Sequence, residues 1–304
     1  MFKPDGIIPA MVTPFNEEGE VNEAVLRRLV GNMIEAGCHG IFVLGSNGEF
    51  FSLTEEEKLR IATIAVDEAN GRVPVYAGTG GNSTKETIEL TKNMEKIGVT
   101  AVSVITPYFV KLTQDELKNH FELIAEAVEI PIILYNIPGM TGNPISPATV
   151  KELAKIPNIV AIKDSSGNFD IVLKCLEAQS EDFTVLVGTD SLILPTLMAG
   201  GGGAIAATAN FLPKVVVSIY DKWKSGDLEG AELEQRKLRA IRNAFQKGTL
   251  PSVLKEALNA IGMEVGPPRL PVKPLTEKAK QEVNEIVKSY IDSGEFNSTF
   301  YTKV

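Results

Sequence analysis

Short apolar runs alternate with longer amphipathic stretches along the first two-thirds of the chain. The runs are rich in valine, isoleucine and alanine, and several are apolar at both odd and even positions, as in strands that are covered on both faces. They predict eight strands, at Ile8–Phe15, Gly40–Gly45, Val73–Gly78, Ala101–Thr106, Pro131–Asn136, Ile159–Asp164, Phe183–Gly188 and Gly203–Thr208.

The stretches between these runs carry helix-start signals. Thr54 stands before three glutamates, and Thr113 is followed by Glu116 in the spacing of a capping box. Ser83 and the pair Ser146-Pro147 are typical of helix starts as well. Eight strand-then-helix units within about 225 residues predict an α/β fold, a parallel (β/α)8 TIM barrel. A doubly wound open sheet is the alternative, but no glycine fingerprint follows the first strand.

After about residue 210 the pattern is helical only, with helices predicted over 212–224, 227–247, 250–263 and 275–292. The first of these completes the outer ring of the barrel. We therefore predict a catalytic barrel over residues 1–224 and a C-terminal helical extension with a tail over residues 225–304. Pro267–Pro271 is predicted to be a linker, and Asn297–Val304 a loosely held tail.

Composition excludes several classes of function. The 304 residues carry a formal net charge of −9, which argues against a nucleic-acid surface or an anionic-membrane patch. No secretory signal is visible, and no apolar run approaches the ~20 residues that span a bilayer, so a cytoplasmic protein is expected. Two cysteines and two histidines without motif spacing indicate neither a disulfide framework nor a metal site.

Lys163 stands at the end of the apolar run that forms the sixth predicted strand. Active sites of such barrels lie at the carboxyl ends of the strands. Side chains alternate along a strand, so Lys163 shares a face with Ala161, and Tyr135 shares one with Ile133 on the preceding strand. If both faces point inward, a lysine nucleophile lies beside a phenolic proton carrier, a pair suited to imine chemistry. The alternative is a surface lysine whose amine reaches solvent at the strand end.

Two further polar segments follow strand ends. The turn Gly45–Glu49 exposes backbone N–H groups together with Ser46 and Asn47, a geometry that suits a carboxylate. A plain connection between strand and helix is the alternative. The run Gly200–Gly203 lacks the features of a phosphate loop and is better explained by close backbone approach to a small ligand or to the barrel floor.

Several motifs, in register with the eight units, resemble the dihydrodipicolinate synthase/N-acetylneuraminate lyase family of class I, Schiff-base-forming pyruvate aldolases. The resemblance runs from Ile7 to about residue 260. Its motifs are Ile7–Phe15, Gly45–Glu49, Thr106–Tyr108, Leu134–Pro138, Ile162–Ser165 and Gly203–Ile205.

The resemblance implies that Lys163 condenses with the keto group of pyruvate or a related 2-oxo acid. Tyr135 matches the tyrosine that shuttles protons, and Ser46 and Asn47 match the pair that holds the pyruvate carboxylate. Ile205 matches the residue whose backbone contacts the substrate. The family also implies a homotetramer, and neither a metal nor an organic cofactor for the chemistry, the covalent imine being formed with the substrate itself.

The chain departs from the family pattern at positions that select the second substrate. Dihydrodipicolinate synthases carry an arginine where this chain has Met140, and a second tyrosine, supplied across a subunit interface, where it has Phe109. A serine that sialic acid lyases use for distal hydroxyls falls at Ala207. The run Gly78–Gly81 with Lys85–Leu90 resembles 2-keto-3-deoxygluconate aldolases instead.

The resemblance and these departures from it predict an aldolase that cleaves or forms a 2-keto-3-deoxy sugar acid. Pyruvate and a small aldehyde would be the products of cleavage. Weaker candidates for contacts with the distal hydroxyls are Asp190, Ser165 and Thr208. The alternatives are dihydrodipicolinate synthase, 4-hydroxy-2-oxoglutarate aldolase, to which the Ser-Asn pair is similar, and a dehydratase of 2-keto-3-deoxy acids. A protein that only binds a 2-oxo acid is the non-enzymatic alternative, and the Lys–Tyr pair argues against it.

Overall fold

A computed structural model describes residues 2–296 of the chain. Within these residues lie eight parallel strands, each hydrogen-bonded to its neighbours in the order β1-β8-β7-β6-β5-β4-β3-β2. The strands are β1 (Gly6–Pro9), β2 (Ile41–Val43), β3 (Val75–Gly78), β4 (Ala101–Ile105), β5 (Ile132–Asn136), β6 (Ile159–Asp164), β7 (Thr184–Val187) and β8 (Gly203–Ala206). A parallel bridge between Ala10 and Phe42 brings the segment after β1 against β2 and closes the ring. The predicted (β/α)8 barrel is thereby confirmed.

Thirteen α-helices lie in the same described residues. They are α1 (Glu23–Glu35), α2 (Glu55–Ala69), α3 (Thr84–Ile97), α4 (Gln114–Ala127), α5 (Pro138–Thr141), α6 (Pro147–Leu153), α7 (Phe169–Leu176), α8 (Ile193–Met198), α9 (Pro213–Ser225), α10 (Leu228–Lys237), α11 (Arg239–Ala244), α12 (Ser252–Ala260) and α13 (Glu277–Asp292). The predicted capping boxes are present at Thr54 and Thr113, where each side chain accepts the N–H of a glutamate that bonds back.

Alternate strand positions fill the barrel interior. The interior side chains form a cluster of Ile8, Ala10, Phe42, Tyr76, Ala101, Ile133, Val160, Ala161, Leu186 and Ile205. Between β5 and β6, Ile133 pairs with Ala161 and Tyr135 pairs with Lys163. Because side chains on one strand alternate between its two faces, Tyr135 and Lys163 point inward with Ile133 and Ala161. The condition under which the Lys163–Tyr135 pair was predicted, that both faces point inward, is therefore met.

The first strand is shorter than predicted and lies earlier, at Gly6–Pro9 instead of Ile8–Phe15. Beyond it the backbone leaves the ladder: Val12 N–H donates to the Asn210 side chain at 3.1 Å, and Phe15 N–H donates to the Val265 carbonyl. Val12 is buried beside Asn210 and Phe15 beside the extension, so the apolar run indicated burial rather than a strand.

Two other predicted boundaries were wrong for identifiable reasons. The last strand ends at Ala206 because the N–H of Thr208 donates to the Asp190 carboxylate at 2.7 Å rather than to a strand. The helix predicted over 227–247 is divided into α10 and α11. The hydroxyl of Tyr290 donates to the Lys237 carbonyl and accepts the N–H of Ile241, so it separates a pair that would bond in a continuous helix.

The helices after α9 pack on the barrel and share its hydrophobic core, with Tyr290 of α13 against Phe211 of the barrel at a ring-centroid distance of 5.7 Å. Pro267–Pro271 lies outside the helices, as predicted. The predicted tail, Asn297–Val304, is outside the described residues. Among residues 2–296 no helix has the length and apolar character needed to cross a membrane.

Candidate functional site

Lys163 lies inside the barrel, not at its surface. Only 4% of the residue is exposed, and its amine lies 4.2 Å from the ring centroid of Tyr135 and 5.3 Å from that of Phe42. The alternative of a surface lysine is therefore wrong. The register that pairs Lys163 with Tyr135 also puts the phenol at the carboxyl end of β5. Enzymes with (β/α)8 barrels have their active sites at this end.

The loop Gly45–Glu49, here called the β2 loop, brings Ser46 and Asn47 to the same end of the barrel. Both residues are buried, and the hydroxyl of Ser46 lies 3.4 Å from the phenol oxygen of Tyr135. Leu44 and Glu49, which flank the polar residues, both have positive φ angles of 61° and 57°. Such backbone conformations cost free energy in non-glycine residues and persist where the surroundings enforce them, which is typical of functional loops.

The amide oxygen of Asn47 is buried and has no hydrogen-bond partner within residues 2–296. A buried acceptor without a partner costs free energy unless a ligand, a water molecule or the exchanged amide orientation satisfies it. Ser46, the preceding residue, has its hydroxyl near the Tyr135 phenol, so the β2 loop holds two buried polar residues in succession. In the exchanged amide orientation Asn47 would present its NH2 group there, and a donor is what the predicted carboxylate site requires.

At the end of β8, Asp190 makes backbone contacts that were not predicted for it. Its carboxylate is buried and accepts the backbone N–H groups of Ala207 and Thr208, at 3.2 and 2.7 Å. Both oxygens thus hold the backbone that follows β8. The strand β8 itself carries Ile205, whose side chain lies in the barrel interior. The Thr208 hydroxyl is buried without a partner in the described residues, so it is the better placed of the two for a ligand.

Ser165 lies directly after β6 and is partly exposed. Its N–H donates to the Asn136 carbonyl at 2.8 Å, which extends the pairing of β5 and β6 by one residue. The preceding residue, Asp164, is the last of β6; it is fully buried and accepts the Asn136 side-chain amide at 2.7 Å. This buried pair ties the ends of the two strands that carry Tyr135 and Lys163.

Comparisons with known proteins agree with this geometry. The chain matches the dihydrodipicolinate synthetase family over residues 3–290. It belongs to this family. A relative named 4-hydroxy-tetrahydrodipicolinate synthase, from Methanopyrus kandleri, is 42% identical over 289 residues, covering 94% of this chain and 96% of the relative. As a member of the family, the chain is an enzyme of the class I aldolase type, a carbon–carbon lyase.

Solved structures of the family superpose closely. A dihydrodipicolinate synthase from Bacillus anthracis has a TM-score of 0.92 at 35% identity, covering 95% of this chain and 99% of that one. A prophage protein of the dihydrodipicolinic acid synthase family from E. coli K12, solved in complex with pyruvate, has a TM-score of 0.90 at 36% identity, covering 94% of this chain and 98% of that one.

The positions at which the chain departs from the family pattern lie at the mouth of the barrel. Phe109 is 96% exposed and Met140 is 58% exposed. A cavity of about 270 Å³ adjoins Ser46, and no charged side chain lines it; its lining is Ser46, Phe50, Phe51, Ile105, Tyr108, Met140, Thr141, Thr249, Leu250 and Val272. The space beside the β2 loop is therefore mainly apolar, and Met140 forms part of its wall.

Both histidines make structural contacts. The Nδ1 atom of His39 accepts the N–H of Ile7 at 3.1 Å, and that of His120 lies 2.8 Å from the Thr84 hydroxyl. Cys38 and Cys175 are free and buried. In the described part of the chain no group of three or more histidine, cysteine, aspartate or glutamate residues is placed to hold a metal ion.

Two basic residues of the extension, Lys255 and Arg269, were not predicted from the sequence to belong near the site. Both reach the back of the β2 loop and bond to Glu49. Lys255 is flanked by buried Leu254 and Leu258 on α12. It thus meets the criterion by which Lys163 was noticed: a lone amine among apolar positions. That criterion could have identified it.

Proposed function

We propose that this enzyme is a pyruvate-dependent aldolase that forms a Schiff base through Lys163. The observation that carries the proposal is the buried amine of Lys163 beside the ring of Tyr135, at the carboxyl ends of adjacent strands. Among the structural relatives, the prophage protein solved with pyruvate supports the same 2-oxo acid as ligand. A protein that only bound a 2-oxo acid would not need an amine held inside the barrel.

In the proposed mechanism the neutral amine of Lys163 attacks the C2 carbonyl of pyruvate, and the carbinolamine loses water to give an iminium ion. The iminium withdraws electrons from C3, so a C3 proton can leave and the resulting enamine attacks an aldehyde carbonyl. Cleavage is the reverse, in which the C4 hydroxyl loses its proton as the C3–C4 bond breaks. Tyr135 carries these protons, and its contact with the Ser46 hydroxyl extends the path toward the mouth.

Ser46 and Asn47 are proposed to hold the pyruvate carboxylate. Their side chains and the N–H groups of the β2 loop lie at the same end of the barrel as the amine, and donors on successive residues suit an anion. No metal and no organic cofactor enters this scheme, because the iminium itself is the electron sink.

For the second substrate, the names of the relatives support 4-hydroxy-tetrahydrodipicolinate synthesis, in which the aldehyde is aspartate semialdehyde. This is our first candidate. It replaces, as the leading assignment, the 2-keto-3-deoxy sugar acid aldolase predicted from the sequence.

One observation keeps the sugar acid aldolase as the second candidate. Met140, at the position of the family's carboxylate-binding arginine, lines a cavity without charged side chains. A buried carboxylate without a cationic partner is costly, whereas an uncharged aldehyde has no such need. The dehydratase and the 4-hydroxy-2-oxoglutarate aldolase remain alternatives that product analysis separates.

The decisive experiment is reduction with borohydride in the presence of pyruvate, followed by peptide mass mapping. We expect a reduced pyruvate adduct on Lys163 and none in a Lys163→Met control. A wild-type protein without an adduct at Lys163 would refute the Schiff-base proposal. Initial rates with pyruvate plus aspartate semialdehyde, and with pyruvate plus glyceraldehyde, then rank the two candidates. Sedimentation analysis tests the predicted homotetramer separately.

A further inference from the structure

Glu49 is the last residue of the β2 loop and is completely buried, with 0% of it exposed. Its N–H donates to the carbonyl of Ser46 at 3.2 Å, which closes the turn that carries Ser46 and Asn47. Its backbone φ angle of 57° is one that residues other than glycine rarely adopt. The conformation of the carboxylate-binding turn thus depends on whatever holds Glu49 in place.

What holds Glu49 comes from the C-terminal extension. The amine of Lys255, on α12, lies 2.7 Å from Oε1 of Glu49, and the backbone N–H of Arg269 donates to Oε2 at 2.7 Å. Lys255 is itself only 1% exposed and also donates to the carbonyl of Pro267 at 2.9 Å. The extension therefore contacts both oxygens of the buried carboxylate, one through an ion pair and the other through a hydrogen bond.

The side chain of Arg269 holds the segment that follows the loop. Its guanidinium donates to both carboxylate oxygens of Glu57, at 2.8 and 2.7 Å, and to the carbonyl of Ser52 at 3.0 Å. Such a bidentate pair fixes geometry as well as energy, and it lowers the pKa of Glu57. Arg269 thus contacts the loop through its backbone and the start of α2 through its side chain.

The ion pair between Glu49 and Lys255 is a poor device for stability alone. Burial lowers the pKa of Lys255 to about 8, because desolvation outweighs the attraction of Glu49. Buried ion pairs of this kind stabilise no more than well-packed apolar residues would, but they impose one geometry. Loss of one partner leaves a buried, uncompensated charge, and movement of the β2 loop toward water is one way to relieve its cost.

We propose that Lys255 and Arg269 are positioning residues for the pyruvate carboxylate, acting through Glu49 on the β2 loop. The proposal rests on the function proposed above, in which Ser46 and Asn47 bind that carboxylate. It assigns the extension a part in substrate binding: the loop presents its donors correctly only while α12 and the segment around Arg269 are docked against it.

The test compares Lys255→Met and Glu49→Gln with a control, Lys222→Met. The control removes one partner of another 2.7 Å ion pair, Lys222–Glu234, between α9 and α10. For each full-length protein, borohydride trapping is measured over a range of pyruvate concentrations. We expect Lys255→Met to raise the half-saturating concentration about tenfold or more, as when groups behind a ligand-binding residue are lost, while saturating pyruvate still labels Lys163 fully.

A folded Lys255→Met protein with unchanged half-saturation overturns the proposal, and so does an equal rise in the Lys222→Met control. Should Lys255→Met fail to fold, Glu49→Gln, which keeps the acceptor for Arg269, decides in the same way. The double variant Glu49→Gln/Lys255→Met removes both charges and is expected to recover part of the affinity. Absence of labelling in the wild type at saturating pyruvate would refute the Schiff-base function instead, so the two failures are distinguishable.

Discussion

Gly188 lies directly against Lys163, so closely that a β-carbon added to it would fall 2.6 Å from Cε of the lysine and 2.0 Å from the Ser165 hydroxyl oxygen. Carbon atoms do not approach each other to 2.6 Å without displacement. A glycine therefore follows β7 because the side chains of Lys163 and Ser165 occupy the space where another side chain would begin.

The variant Gly188→Ala is expected to displace the Lys163 amine and lower kcat by about 100-fold, the effect of a misplacement of roughly 1 Å in a reacting group. Steady-state kinetics with pyruvate and the preferred aldehyde measure it. Gly81→Ala is the matched control at the same end of the barrel, because its added carbon would meet only the Thr87 hydroxyl at 3.8 Å. Equal kinetics for both variants would contradict the prediction.

Replacing Tyr135 with phenylalanine should separate proton transfer from binding. The ring that contacts the Lys163 amine is retained, while the hydroxyl near Ser46 is lost. We expect kcat to fall by about 10² to 10⁴, the range for loss of a general acid–base group, with pyruvate trapping at Lys163 preserved. Tyr220→Phe, which removes a hydroxyl bonded to Asp5, is the control and should leave kcat unchanged. An active Tyr135→Phe enzyme would assign the proton transfers elsewhere.

Met140→Arg tests how the mouth of the barrel selects the second substrate. A guanidinium in the wall of an otherwise uncharged cavity attracts a carboxylated aldehyde, and the partial exposure of the position limits the gain. The ratio of kcat/KM for aspartate semialdehyde to that for glyceraldehyde is expected to rise about tenfold, or ~1.4 kcal/mol. Met140→Gln controls for shape without charge. A ratio that does not move would remove position 140 from the determinants of specificity.

The buried His120 is expected to make the folded protein less stable in acid. Burial lowers its pKa from 6.5 to about 4, so the histidine is neutral in the folded protein. Below pH 6.5 His120 binds a proton in the unfolded chain but stays neutral in the folded chain. The free energy of unfolding therefore falls as the pH falls from 6.5 toward 4. The full effect is on the order of 3 kcal/mol.

The measurement is denaturant unfolding of the wild type and of His120→Gln at pH 7, above both pKa values, and at steps down to pH 4.5, which lies between them. Glutamine can still bond to the Thr84 hydroxyl, which lies 2.8 Å from the histidine. We expect the variant to lose less stability than the wild type on acidification. Parallel curves for the two proteins would show that His120 does not titrate differently on unfolding.

The pairing of Lys163 with Tyr135 was predictable from the sequence because it depends on a local rule. Side chains alternate with a period of two along a strand, and neighbouring parallel strands carry their inward residues side by side. The role of Asp190 was not predictable in this way. Its position after β7 marked it as a residue of the site end, but the contact that occupies its carboxylate is with backbone N–H groups after β8.

The sequence by itself determined the barrel and the inward-facing lysine, since apolar periodicity and strand order follow from local pattern. Only the tertiary structure decided what supports the site. Glu49 and Arg269 are separated by 220 residues, and their contact arises from the way the extension docks on the barrel. The periodicity of an isolated segment carries no information on such a contact. The free energy of the contact depends on water being excluded between two surfaces that are far apart in the sequence.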